Sequence, residues 1–134
     1  AVLHWGAEYQ DHPLASVVDF SHWMIDEGVD VVIGGHPHWV QGIYAYKGHP
    51  IVYSLGNFVF DQDWSAETKQ GLAVELTFQG KELIMKPVPL DIKQSQPTFV
   101  AEAALPIRLQ GLARISAVEL QPQIASGTVR FTLP

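Results

Sequence analysis

The chain has 134 residues, 47% of them apolar, no cysteine, and 8 basic against 14 acidic side chains, for a net charge of −6. Length and apolar content suit a domain-sized core, and the lack of cysteine excludes disulfides, thiolate metal sites and cysteine nucleophiles. The acidic balance argues against nonspecific nucleic-acid binding and against anionic membranes, and no run reaches the ~18 apolar residues of a membrane-spanning helix.

Ala1-Val2-Leu3 reads as a strand stub that delivers His4-Trp5-Gly6 at its C-terminal end. With no initiator methionine and no lead-in, the chain is expected to start in mid-fold, as a fragment or processed product. A helix follows: Pro13 suits its first turn, Gly28 the position just past its end, and Leu14, Val17, Val18, Ser21, Met24 and Ile25 recur at helical spacing. Residues 29–33 predict a second buried strand, rich in valine and isoleucine and closed by Gly34. Strand, helix and strand make a βαβ unit. It sends His4 and the pair His36 and His38 to one sheet edge, where open α/β sheets place their sites.

The tripeptide His36-Pro37-His38 carries the strongest chemical signal. Proline pushes the residue before it toward an extended conformation, and in an extended segment residues i and i+2 project to one side, so two imidazoles converge. Convergent neutral imidazoles hold zinc, iron, copper or nickel. The alternative is two loop histidines satisfied by backbone carbonyls. All six histidines lie at positions 4, 12, 22, 36, 38 and 49, so the chemistry belongs to the front of the chain. Lys47 is the first cation, after Glu8, Asp11, Asp19, Asp26, Glu27 and Asp30. An anionic substrate therefore needs a metal ion, or basic groups from elsewhere, to neutralise it.

Farther along, 42–46 and 51–55 predict a hairpin around the turn Lys47-Gly48-His49-Pro50. Residues 71–78 alternate, with Leu72, Val74, Leu76 and Phe78 on one face, and a return strand near 83–90 is expected to turn Ile84, Val88 and Leu90 to one side. A short helix within 101–115, weakened by Pro106 and Gly111, and an edge strand over 128–132 complete the chain.

The strings His4-Trp5-Gly6-Ala7-Glu8-Tyr9, Gly28 through His38, and Tyr53-Ser54-Leu55-Gly56-Asn57-Phe58-Val59-Phe60-Asp61 resemble the C-terminal half of the bacterial capsule-synthesis, poly-γ-glutamate (CapA-type) proteins, a family similar in fold to the calcineurin-like metallophosphoesterases. The resemblance covers residues 1–92, with 93–134 as a C-terminal extension. It implies an α/β fold, the C-terminal part of a four-layer α/β/β/α sandwich in which a βαβ unit precedes antiparallel hairpins. It also implies a site for two divalent metal ions, manganese, zinc or iron, with His4 and His36 serving one and His38 the other. The family's remaining ligands come from an N-terminal half, so the expected partner is that missing segment or a second copy of the chain, and the chain alone is expected to be inactive. The implied activity is metal-dependent hydrolysis linked to capsule synthesis at the cell surface, on an anionic small molecule or polymer. The alternative is a non-catalytic polymer-binding or assembly component.

Glu8 reads either as a group that orients a histidine ligand or acts as a general acid, or as a solvated loop acid. Asn57, in a glycine-flanked turn, reads as a substrate contact or, slightly favoured, as the group that holds the turn. His12, His22 and His49 read as structural or exposed, and Trp5, Trp23, Trp39 and Trp64 as core or pocket-wall aromatics.

Overall fold

The computed structural model describes all 134 residues. Strand β1 (Val2–His4), helix α1 (Ala15–Asp26) and strand β2 (Val32–Gly35) form the expected βαβ unit, with β1 and β2 parallel and His4 opposite Gly35. Strands β3 (Ile43–Tyr46) and β4 (His49–Val52) form a hairpin, and β4 lies parallel to β2, which gives the order β1-β2-β4-β3. The second sheet is built on β6 (Glu82–Lys93). Strand β5 (Gln70–Gln79) pairs along one side of it, and β7 (Gln96–Phe99) and β8 (Val129–Thr132) share the other. Helices α2 (Leu105–Arg114) and α3 (Gln121–Ala125) lie between β7 and β8 in the chain.

Two apolar clusters make this an α/β sandwich, as expected. Val17, Met24 and Ile25 of α1 pack on Val32, Ile51 and Tyr53 from one face of the first sheet. The other face sends Ile33, Ile43 and Val52 into a core shared with Leu72, Leu83 and Met85 of the second sheet and with Leu112 and Ile124 of α2 and α3. The core thus draws on residues on both sides of position 92. The two edges of the first sheet are treated differently. At β3, the Ile43 amide donates to Ser116 Oγ at 2.9 Å and the Ala117 amide donates to Ile43 O at 3.0 Å, so the segment after α2 caps that edge. At β1 the outer side is unpaired, and Val2 is 84% exposed.

Several expectations shift. Helix α1 starts at Ala15, so Pro13 lies just outside it, and Leu14 at the cap is exposed. Strand β2 runs through the glycine pair instead of ending at it. Gly34 lies so close to Tyr53 that an added Cβ would collide with its carbonyl oxygen, which is why this strand position carries no side chain. The first hairpin turns on Lys47-Gly48 alone, both at positive φ, and His49 and Pro50 belong to β4. In β6 the inward residues are Leu83, Met85 and Pro87, whereas Ile84 and Val88 are only half-buried. The cause is register: the tight Gly80-Lys81 turn sets Phe78 opposite Leu83, Leu76 opposite Met85 and Val74 opposite Pro87, so these share the face of Leu72. Pro106 supports α2, because it falls in the first turn, where no amide donor is needed. Trp23 and Trp64 are more than half exposed and so are not core residues.

Candidate functional site

The C-terminal ends of β1 and β2 bring His4, His36 and His38 to one place. The Trp5 amide donates to Gly35 O at 3.0 Å, and the Tyr9 amide donates to Pro37 O at 2.8 Å, so the two strand-end loops are tied together. The histidines converge by a route other than the one expected. His36 has φ 101° and His38 φ 61°, so both leave the extended region and the chain bends on either side of Pro37. A histidine at φ 101° is strained, and such strain persists only where the surroundings hold it.

His4 Nε2 and His36 Nδ1 are 3.0 Å apart, with ring centroids at 4.6 Å. His38 is fixed from behind: its Nδ1 lies 2.8 Å from Asn57 Oδ1, which can only accept, so Nδ1–H donates. The orientation of the Asn57 amide is set by its other end, where Nδ2 donates to Thr68 O at 3.0 Å, and both Asn57 and Thr68 are buried. The neutral His38 ring therefore presents a bare Nε2 toward the cluster, 3.7 Å from Glu8 Oε1. One donor atom from each of Glu8, His36 and His38 lies within 4.8 Å of the others. Asn57 thus acts as a positioning residue as well as a turn residue. Glu8 reaches the cluster and stays half open to solvent.

An aromatic wall surrounds His38. Tyr9 stacks on it at 5.7 Å and 23°, Phe60 lies at 4.9 Å, and Trp64 meets Tyr9 edge-on at 4.8 Å. Gln62 Nε2 donates to Tyr9 Oη at 3.0 Å, which ties the loop after Asn57 to the loop after β1. Trp64 is thus one of the pocket-wall aromatics the sequence offered, whereas Tyr9 and Phe60 were marked only by their place inside the resemblance strings. The other histidines lie apart, as expected. His12 contacts Asp11 on the surface, His22 stacks on Tyr46, and His49 Nδ1 sits 3.1 Å from Asp30 O.

No lysine or arginine joins this cluster. Lys47 is held by Asp26 at 2.6 Å, and that contact lowers the Asp26 carboxyl and raises the Lys47 ammonium from their ordinary values. Burial raises the Tyr53 hydroxyl, against a weaker opposing hydrogen bond from Ser21. On its open side the site borders a cleft of ≈ 620 Å³ lined by Val2, Leu3 and His4 of β1, by Asn57, and by Leu72 and Val74 of β5. The donor set of three imidazoles and a carboxylate has the chemistry of a site for zinc, manganese or iron.

Residues 1–62 match the family described as bacterial capsule synthesis protein PGA_cap. Through this segment the chain belongs to that family. The PGA_cap segment contains His4, Glu8, His36, His38 and Asn57. Among curated relatives, the capsule biosynthesis protein CapA of Bacillus anthracis is 40% identical over 101 residues, 75% of this chain and 24% of the relative. The PGA biosynthesis protein CapA of Bacillus subtilis (strain 168) is 35% identical over 102 residues, 76% of this chain and 27% of the relative. A probable polyglutamine synthesis accessory protein of Mycobacterium tuberculosis is 36% identical over 61 residues, 46% of this chain and 16% of the relative. The chain spans about a quarter of the length of the two CapA relatives it matches.

Proposed function

We propose that this chain forms part of a capsule-biosynthesis protein whose histidine cluster holds divalent cations for hydrolysis of a phosphoester, or of a related ester or amide. The observation that carries this reading is the spacing of His4 Nε2 and His36 Nδ1, 3.0 Å. The two rings share a hydrogen bond at this distance, and two nitrogens on a tetrahedral cation with bonds of ~2.1 Å are separated by ~3.4 Å, so the pair has to part by only ~0.4 Å to take a cation between them. His38, held by Asn57, offers Nε2 to a second cation, and Glu8 stands beside it to accept or donate a proton. Bound cations supply Lewis acidity and a nucleophile active at neutral pH. The chain's own part is to fix the three rings, to hold His38 in one tautomer, and to wall the site with Tyr9, Phe60 and Trp64.

Three imidazoles and one carboxylate are fewer donors than two cations require, so further ligands come from another segment of a longer protein or from a second copy. The free edge of β1 supports such a covering segment, as does the cleft between β1 and β5. The substrate is read as an anionic small molecule or polymer at the bacterial cell surface. No helix is long and apolar enough to cross a membrane. The second reading, a polymer-binding or assembly component without catalysis, is supported by the same shortage of donors.

The deciding assay supplies manganese, zinc or iron to the gene product that contains this chain, together with a panel of phosphomonoesters and phosphodiesters. Turnover that His36→Ala or His38→Ala abolishes is expected. Bound metal with no turnover across the panel would favour the polymer-handling reading, and cleavage of polyglutamate would move the site to amide chemistry.

A further inference from the structure

A second cleft, of ≈ 450 Å³, lies away from the histidines, where α2 faces the start of β5 and the loops before α1 and β5. Its size falls within the range of small-molecule sites, and Val40, Leu72, Ile107 and Leu112 make part of its wall apolar. Its charged groups are two of each sign. Arg108 and Arg114 come from α2, and Asp11 and Glu67 from the loops.

These charges do not cancel across the gap. Arg108 is engaged behind the cleft, donating to Asp91 at 2.9 Å and to Leu90 O at 3.2 Å. Asp11 contacts His12. Arg114 and Glu67 have no ion-pair partner at all. Trp39 also lines the cleft, and its indole N–H is buried without an acceptor. A buried donor left unpaired is uncommon in folded proteins, and it makes this indole a sensitive reporter of what enters the cleft beside it. A simple anion entering this space would meet two acids, and a simple cation two arginines. A molecule carrying both charges at its ends satisfies both walls, and an apolar side chain between them covers the leucines.

We propose that this cleft binds a small zwitterion: an amino acid or dipeptide with free amino and carboxyl groups and an apolar side chain. The carboxylate is taken by Arg114, on the cleft wall that Trp39 also lines. The ammonium is taken by Glu67, with Asp11 nearby. The site is independent of the histidine cluster and needs no metal.

The test is a titration of the 134-residue chain with leucyl-leucine, following the Trp39 indole resonance in ¹⁵N NMR, assigned by its loss in Trp39→Phe. The expected result is a shift of that resonance with a Kd at or below ~1 mM. N-acetyl-leucyl-leucine and leucyl-leucinamide, each lacking one charge, should bind roughly tenfold more weakly, as should Arg114→Gln and Glu67→Gln, both surface changes that leave the core intact. Equal binding of the acetylated or the amidated dipeptide would overturn the proposal, because the cleft would then read one charge only. So would the absence of any shift at ~10 mM leucyl-leucine.

Discussion

The front of the chain, through Asp61, and the back, from Gln70 onward, meet in one core but are built differently. Behind Gln70 the backbone is regular: a ten-residue ladder joins β5 to β6, and the only non-glycine residues at positive φ are Gln94 and Ser95, at the tip of a hairpin. In front, Lys47 takes positive φ in its hairpin turn, and so do Tyr9, His36 and His38, which all touch the site. Packing does not separate the two: Val32, Ile43 and Ile51 in front are as fully buried as Leu83, Met85 and Ile124 behind. The front keeps its strained residues at the ends of β1 and β2, leaves β1 unpaired on its outer side, and gathers there the donors that can hold a cation. Positive φ at non-glycine residues outside the hairpin turns is confined to this one point, which marks the place where geometry serves something other than stability.

The sharpest way to break this contrast is to add a methyl group on each side. Gly34→Ala places Cβ against the Tyr53 carbonyl oxygen and the Trp5 indole nitrogen, neither of which can move freely, and should destabilise the chain by more than ~3 kcal/mol in urea unfolding. A loss under ~1 kcal/mol would mean that the front yields as easily as a surface loop. Next in size, Asn57→Ala removes the acceptor that fixes His38 and should weaken zinc or manganese binding by roughly 10–100-fold in calorimetric titration. Unchanged affinity would show that His38 needs no support.

A smaller and opposite effect is expected in the back. Nothing lies within 4 Å of a Cβ added at Gly111, an exposed site inside α2, so Gly111→Ala should raise stability by ~0.5–1 kcal/mol with no change in cation affinity. The smallest effect concerns pH. Burial raises the Tyr53 hydroxyl above its ordinary 10.0, and Tyr44 shifts the same way for the same reason. The folded state then holds more protons than the unfolded one above pH ~10, so stability is intact below that pH and falls as pH rises through it. Tyr53→Phe should flatten that decline in unfolding midpoints measured across the alkaline range.

Much of this arrangement was legible in the sequence. The βαβ unit followed from valine-rich runs on either side of an amphipathic stretch, and parallel pairing of β1 and β2 sufficed to bring His4 to His36 and His38. Three things were not legible. The rule for residues before proline describes a free chain, whereas at His36 the tie between Tyr9 and Pro37 holds the loop in another conformation. The inward face of β6 depends on how many residues its turn uses, which alternation within one strand does not encode. The wall of Tyr9, Phe60 and Trp64 comes from loops without periodicity, so only Trp64 was expected, as a core or pocket-wall aromatic, and nothing assigned it to His38.

In the proposed reading, His4 with His36, and His38 beside Glu8, are two adjoining cation positions held by a strained pair of strand ends. Anomalous diffraction at the zinc edge, from crystals of this chain grown with zinc, tests it most directly. A peak is expected within bonding distance of both His4 Nε2 and His36 Nδ1, with any second peak at His38 Nε2. Zinc found elsewhere on the chain, with His4 and His36 still hydrogen-bonded to each other, would rule those positions out.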